Sequence, residues 1–155
     1  MRIRVIAVGK QMPAWVDAAF ETYQKRVSGQ FQLMLHEVQA VKRTKNSDLE
    51  RVAREEGQRI LAAIPEGYCM IALERIGKSV DSQQLAGALA KYQGDGENLA
   101  IVIGGAEGLD PSCLEKAREV WSLSALTMAH PVVRVVLAEQ LYRACTILQN
   151  HPYHR

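Results

Sequence analysis

Leu99 to His130 read LAIVIGGAEGLDPSCLEKAREVWSLSALTMAH, and this segment sets the architecture of the whole chain. It opens with five consecutive apolar residues, Leu99 to Ile103. An apolar run without polar alternation is typical of a strand that is buried on both faces, as in a parallel sheet. Three glycines between Gly104 and Gly108 then allow a tight turn and a close approach of another group. Ligands of parallel α/β sheets bind beyond the carboxyl ends of strands, so this turn is a candidate ligand site.

The glycine turn by itself leaves two interpretations open. It either shapes a ligand site or only connects a strand to a helix, because a short glycine-rich motif is a weak signal without context. The dinucleotide fingerprint G-x-G-x-x-G is absent here and also after the first predicted strand, where only Gly9 occurs. The sequence therefore disfavours an enzyme that depends on nicotinamide or flavin.

The composition predicts one globular domain over residues 1–155. Hydrophobic residues make up 48% and charged residues 23% of the chain, which is ordinary for a globular protein. No apolar run approaches the roughly 18 residues of a membrane span, and the N-terminus lacks a signal-peptide pattern. Three separated cysteines predict small buried side chains in a reducing, cytoplasmic protein. The four histidines show no zinc-site spacing with them, so we predict no metal.

Strands and helices alternate along the chain, which predicts a parallel α/β sheet of about five strands flanked by helices. We expect strands at residues 2–8, 31–38, 68–73, 99–103 and, as a short strand or extended loop, 122–128. We expect helices at residues 14–27, 47–64, 81–93, 110–120 and 130–150. The patterns Ser47-x-x-Glu50 and Asp81-x-x-Gln84 predict capping boxes at the starts of the second and third helices.

The last predicted helix is apolar nearly all round. Its polar positions form one narrow stripe, made of Glu139, Arg143, Thr146 and Asn150. Such a helix must be covered on more than one side. One side can pack on its own sheet, and we expect a second copy of the chain to cover another.

A basic cluster, Lys42, Arg43 and Lys45, lies in a predicted loop. It is either a solvated loop or a loop that contacts RNA phosphate, and weaker candidates for such contacts are Lys10, Lys25 and Arg26. The net charge of +2 does not by itself demand a nucleic-acid partner. Any RNA contact would have to come from a local cluster or from two paired subunits.

Several separated motifs carry a family resemblance. They are Val8-Gly9-Lys10, the glycine turn, WSLSALT from Trp121, HPVVRV from His130, EQLYRA from Glu139 and NHPYH from Asn150. Together they resemble the ribosomal large-subunit RNA methyltransferase H proteins of the SPOUT superfamily, over the whole chain. Ala106 stands where that family often has a proline.

The resemblance implies a fold and an activity that composition and periodicity do not show. It implies a C-terminal part tied in a deep trefoil knot, although chains generally avoid knots. It also implies a homodimer that uses S-adenosylmethionine to methylate N3 of a pseudouridine in large-subunit ribosomal RNA, on the assembled ribosome. The cofactor residues that it implies are Leu73, Gly104, Leu123, Ser124, Ala125, Leu126, Thr127 and Met128.

The C-terminal residues are the candidates for catalysis. We expect Arg143 to engage RNA phosphate or a pyrimidine carbonyl, and Tyr153 and His154 to position the base and handle its N3 proton, in the pocket of the partner subunit. Arg155 joins Lys42, Arg43 and Lys45 as a candidate RNA contact.

Two rival functions are weighed against this one. A non-enzymatic ribosome-associated α/β factor would bind no S-adenosylmethionine. A hydrolase using Ser122 or Ser124 with a histidine is disfavoured, because no G-x-S-x-G elbow is present.

Overall fold

The computed structural model describes residues 1–154, with the backbone alone at His154. Arg155 and the His154 side chain, to which roles in RNA contact and proton handling were assigned, lie outside the described residues. Five strands pair in parallel in the order β2-β1-β4-β3-β5. Their bounds are β1 (Arg2–Val8), β2 (Gln32–Val38), β3 (Tyr68–Ser79), β4 (Asn98–Ile103) and β5 (Glu119–Ser122).

Helices cover both faces of this sheet, which confirms the predicted α/β class. Their bounds are α1 (Ala14–Arg26), α2 (Leu49–Ala63), α3 (Ser82–Gly94), α4 (Pro111–Lys116) and α5 (His130–Leu148), followed by a 3-10 turn (Pro152–His154). Helix α5 packs between α1 and α3 on one face, and α2 contacts α4 on the other.

Strand β4 lies at the centre of the sheet and is buried as its apolar sequence predicts. Leu99, Ile101 and Ile103 pack toward α1, α3 and α5, whereas Ala100 and Val102 pack toward α2 and α4. Burying each large aliphatic side chain contributes roughly 1.5–3 kcal/mol, so this strand anchors both layers. The glycine turn therefore starts from the buried central strand of the sheet.

The predicted capping box at Asp81 is confirmed, but the one at Ser47 is wrong. The carboxylate of Asp48 caps α2 instead, accepting hydrogen bonds from the backbone N–H groups of Glu50 (3.0 Å) and Arg51 (3.2 Å). The Ser47 hydroxyl accepts from the N–H of Thr44 at 2.8 Å and closes the preceding loop. Both residue types cap helices, and the charged carboxylate also complements the helix dipole.

Three elements differ in their bounds from the prediction. Strand β5 lies at residues 119–122 rather than 122–128, and α4 ends at Lys116. Strand β3 continues to Ser79, with a register shift against β5 between Leu73 and Lys78. This continuation requires Gly77, because a Cβ there would lie 2.7 Å from the carbonyl carbon of Trp121. The trefoil knot implied by the resemblance stays a prediction.

Two of the three cysteines are buried, as the sequence predicts, and the third is not fully buried. Cys113 and Cys145 are buried and Cys69 is half-buried, all three as free thiols. Burial raises the pKa of the Cys145 thiol to about 12, so it stays protonated. No helix in this part of the chain has the length and apolarity needed to cross a membrane.

Candidate functional site

A cleft of about 620 Å³ opens at the carboxyl ends of β4 and β5 and beside the stretch of β3 where its register against β5 shifts. Its walls come from residues 73–76, 103–109, 121–124 and 126–128 and from the start of α5. Seven of the eight implied cofactor residues line it: Leu73, Gly104, Leu123, Ser124, Leu126, Thr127 and Met128. Ala125 lies in the same loop but does not line the cleft, and its side chain is exposed. Segments that are far apart in sequence therefore form one pocket. Its volume is typical of a small-molecule site.

The glycine turn supplies one wall of the cleft, with backbone at its three glycines and the side chains of Ala106 and Glu107 between them. A Cβ at Gly104 would lie 2.4 Å from the carbonyl carbon of Gly108, so no side chain fits there. Gly108 has a φ of +79°, and its N–H donates to the Gly105 carbonyl at 3.0 Å. The turn thus presents peptide groups, which can hydrogen-bond the edge of a ligand, to the cleft.

The segment that follows β5 forms the opposite wall. The Ser122 hydroxyl donates to the carbonyl of Ser124 at 3.0 Å, and the Ser124 hydroxyl accepts from the N–H of Leu126 at 3.0 Å. Both hydroxyls therefore hold the shape of the loop, which weakens the hydrolase alternative. The Leu126 side chain is 75% exposed at the rim, where it is available to cover an apolar ligand face.

A buried cation that the sequence analysis missed lies behind the cleft. The fully buried guanidinium of Arg134 donates to the carbonyls of Val8 (2.8 Å) and Gly9 (2.7 Å) and pairs with Glu37 at 2.5 Å. It also lies 3.0 Å from Nε2 of His130, which lines the cleft. The signal that could have revealed it is an arginine within the apolar run Val132 to Ala138 of the helix, because buried charges are almost always paired.

His130 is a neutral imidazole in this arrangement. Burial lowers the pKa of His130, and the adjacent Arg134 cation lowers it further. Since Arg134 donates to Nε2, the remaining proton is assigned to Nδ1. The residue joins the ends of β1 and α5 at the base of the cleft and is not a charged group there.

The candidate catalytic residues form a second cluster, on the C-terminal half of α5. Glu139 accepts from the Arg143 guanidinium at 2.6 Å and from the Tyr153 hydroxyl at 3.0 Å. The guanidinium carbon lies 5.0 Å from the centre of the Tyr153 ring, which also contacts the ring of Tyr142 edge-on at 4.6 Å. Neither Arg143 nor Tyr153 lines the cleft of the same chain.

The phenol of Tyr153 is protonated at neutral pH. Burial raises the pKa of Tyr153 to about 12, with further contributions from hydrogen bonds to Tyr23 and Glu139. The paired Glu139 carboxylate also raises the pKa of Arg143. The cluster therefore offers hydrogen-bond donors rather than a ready base.

Comparison with known proteins places this geometry in a family. Residues 1–154 match a family model described as "Predicted SPOUT methyltransferase". The chain belongs to the SPOUT methyltransferase family. It is 50% identical to a protein of Thioalkalivibrio sulfidiphilus, covering 100% of this chain and 99% of that protein. It is 48% identical to a protein of Marinomonas sp. and 46% to one of Coxiella burnetii, with both chains covered in full. All three relatives are named Ribosomal RNA large subunit methyltransferase H.

Solved structures share the fold of this SPOUT methyltransferase at low sequence identity. A probable methylase family protein of Haemophilus influenzae superposes with a TM-score of 0.57 at 15% identity, over 99% of this chain and 70% of that one. A probable methyltransferase of Bordetella pertussis gives 0.55 at 15% identity, over 92% and 95% of the two chains. These matches support the α/β architecture.

The predicted RNA contacts of this SPOUT methyltransferase divide into two kinds. Lys42 and Lys45 are exposed, in the loop that follows β2. Arg43 is half-buried between them and forms ion pairs with Glu56 and Glu107. Within residues 1–154, no group of three His, Cys, Asp or Glu side chains is placed to hold a metal ion.

Proposed function

We propose that this SPOUT methyltransferase transfers the methyl group of S-adenosylmethionine to N3 of a pseudouridine in large-subunit ribosomal RNA, on the assembled ribosome in the cytoplasm. Full-length relatives that are named for large-subunit ribosomal RNA support the substrate class. The observation that carries the proposal is the cleft that brings together seven of the eight implied cofactor residues, among them Leu73 of β3 and Gly104 after β4.

The chemistry of the cleft suits this methyl donor. When bound, S-adenosylmethionine supplies a methyl group already activated on a sulfonium. The protein must mainly hold donor and acceptor in line and close together. Peptide groups of Gly104 and of residues 123–128 are available to the adenine edge, and Leu73, Leu126 and Met128 to its faces. No acidic ribose clamp is needed, in agreement with the missing dinucleotide fingerprint.

The acceptor nitrogen carries a proton, and its loss must be assisted. N3 of pseudouridine is an imide nitrogen, and negative charge develops on the flanking carbonyl oxygens as the proton leaves. Arg143 and the protonated phenol of Tyr153 are donors that stabilise such an anion. Proton handling is assigned to His154, the neighbour of Tyr153 in the tail.

The tail cluster of Glu139, Arg143 and Tyr153 is separate from the cleft of its own chain. This separation supports a homodimer in which each site combines residues of both subunits. Arg143 and Tyr153 do not line their own cleft, so we propose that they serve the cleft of the partner subunit. Helix α5 retains an uncovered apolar strip that a second copy would bury: Val132 is 37% exposed, and Val133 and Val136 are half-buried. A recess of about 290 Å³ between α3 and α5 continues this strip at Val136 and Gln140.

Lys42 and Lys45 are the proposed contacts to RNA phosphate. Such contacts set register and salt dependence but carry no sequence information, so selectivity comes from the RNA loop and the ribosomal surface. A net charge of only +2 fits docking on an assembled ribosome better than a tight hold on free RNA.

Methylation of ribosomes from cells that lack this protein tests the proposal. Ribosomes are incubated with the purified protein and methyl-labelled S-adenosylmethionine, and the RNA is mapped by mass spectrometry. We expect one labelled pseudouridine in the large-subunit RNA and little label in the same RNA free of protein. Donor binding by calorimetry is measured in parallel. Ribosome binding without donor binding would favour the non-enzymatic alternative.

A further inference from the structure

Arg43 connects the basic loop to the glycine turn of the cleft. Its Nη1 lies 3.2 Å from Glu107, which lines the cleft, and its Nη2 lies 3.5 Å from Glu56 on α2. The Arg43 side chain is 29% exposed, unlike the exposed lysines beside it in the loop. The guanidinium thus spans two carboxylates and faces the protein.

Glu56 is an unusual partner because it is buried and only partly satisfied. Its side chain is 2% exposed, and Oε1 accepts from the N–H of Val41 at 3.0 Å as well as from Arg43. Within residues 1–154, Oε2 has no hydrogen-bond partner. A buried carboxylate is costly without a cation, so pairing with Arg43 stabilises Glu56 at the inner end of the bridge.

The glycine turn rests directly on this pair. A Cβ at Gly105 would lie 2.5 Å from Oε2 of Glu56 and 3.3 Å from Nη2 of Arg43. The turn therefore packs against the ion pair at Gly105 and is tied to it again at Glu107. The contacts at Gly105 and Glu107 together restrain the position and the orientation of the glycine turn.

We propose that Arg43 is a positioning residue of the donor site, which holds the glycine turn in its binding geometry, while Lys42 and Lys45 face RNA. The assignment rests on the proposed binding of S-adenosylmethionine in the cleft. It predicts that a residue of the basic loop controls affinity for the donor, even when no RNA is present.

Calorimetry with S-adenosylhomocysteine, in the absence of RNA, tests the assignment. Arg43→Gln should raise the Kd by about ten-fold, within the range of coupling energies of groups in contact. The matched control is Arg51→Gln, which removes an exposed ion pair with Glu55 on α2 and should leave the Kd unchanged. Lys42→Gln should also leave the donor Kd unchanged while weakening the interaction with ribosomes.

Two further variants separate positioning from a general loss of stability. Arg43→Lys keeps a cation beside Glu56 and should fold, but a single ammonium cannot span both carboxylates, so we expect a Kd raised by about three-fold. Glu107→Gln should weaken donor binding in the wild-type background and add little in the Arg43→Gln background.

An unchanged Kd in both Arg43 variants would overturn the assignment, and so would fully additive effects of Arg43→Gln and Glu107→Gln. Equal losses of donor affinity in Arg43→Gln and Lys42→Gln would also overturn it. No binding of S-adenosylhomocysteine by the wild-type protein would overturn the proposed function itself, and the assignment with it.

Discussion

The cleft and the tail cluster differ in the parts of the chain that contribute their residues. The cleft combines the glycine turn, apolar side chains and polar side chains such as Glu107 and His130, and its residues come from four separate segments of the chain. The cluster of Glu139, Arg143 and Tyr153 consists of polar side chains from one helix and the 3-10 turn that follows it. The first region is assembled by the sheet, whereas the second lies between Glu139 and Tyr153, with Tyr153 also contacting Tyr23 on α1.

This difference indicates that the two regions perform separable tasks. The cleft is lined by residues of one chain, and its glycine turn leaves no room for a side chain at Gly104, which suits it to hold a ligand in one orientation. In the tail cluster, the Arg143 guanidinium and the Tyr153 hydroxyl donate hydrogen bonds to the Glu139 carboxylate. Neither Arg143 nor Tyr153 lines the cleft of the same chain. Binding of the methyl donor and reaction at the RNA nitrogen that accepts the methyl group should therefore respond to different mutations.

The largest effect is expected from Gly104→Ala, which tests the rigid wall. The new methyl group would lie 2.4 Å from the carbonyl carbon of Gly108, and backbone cannot yield cheaply. We expect donor affinity to fall by at least about 100-fold and the free energy of unfolding by about 2–4 kcal/mol. Gly87→Ala in α3 is the matched control, because its Cβ meets no atom within 4 Å. The control should gain about 0.5–1 kcal/mol, measured by urea unfolding.

Arg143→Gln tests the independence of the tail cluster. It removes a cationic donor proposed for the developing anion, so kcat should fall by about 100-fold. The Kd for S-adenosylhomocysteine should stay within two-fold of wild type, since the contact proposed for Arg143 is with the RNA acceptor and not with the methyl donor. Arg54→Gln, an exposed change on α2, serves as the control. A parallel loss of donor affinity would show that the two regions are not separable.

Mixed dimers sharpen the same comparison. Subunits carrying Gly104→Ala are combined with subunits carrying Arg143→Gln, and Leu126→Asp replaces the first variant if it does not fold. Composite sites between subunits predict recovery of roughly a quarter of wild-type activity, because half of the dimers regain one working site. Sites contained within one subunit predict no recovery.

A smaller effect is expected from the doubly substituted variant Lys42→Gln, Lys45→Gln. Neither lysine lines the cleft, so donor affinity should be unchanged. Each lost phosphate contact should lower the slope of log affinity for ribosomes against log salt by about 0.7–0.9. The ribosome KM is measured between low and physiological salt. An unchanged slope would place the RNA interface elsewhere.

The smallest expected effect is a pH dependence of stability from His130. Burial and Arg134 lower its pKa in the folded protein, whereas the unfolded residue titrates near 6.5. Below that pH the unfolded chain binds a proton that the native state resists, so the free energy of unfolding falls as pH drops toward the lowered folded value. His130→Gln should lose this dependence. The free energies of unfolding of wild type and His130→Gln are measured in urea between pH 5 and 8. Their other titratable groups are the same, so the difference between the two pH profiles reports on His130.

Local patterns in the sequence predicted most of the elements and the place of the cleft. The apolar run Leu99 to Ile103, the Asp81 capping box and the glycine turn depend only on neighbouring residues, and the structure contains all three. The alternation of strands and helices determined the parallel sheet, and separated motifs determined the family. The errors fell where two similar signals competed, as at Ser47 and Asp48.

The tertiary structure alone decided which polar groups meet. Arg134 reaches Glu37, and Arg43 reaches Glu107, across 97 and 64 residues of sequence. These pairings depend on the strand order β2-β1-β4-β3-β5, which brings the loop after β2 beside the ends of β1 and β4. The sequence specifies buried strands through their own apolar side chains, whereas the partner of a charge is set by elements that fold beside it from distant parts of the chain.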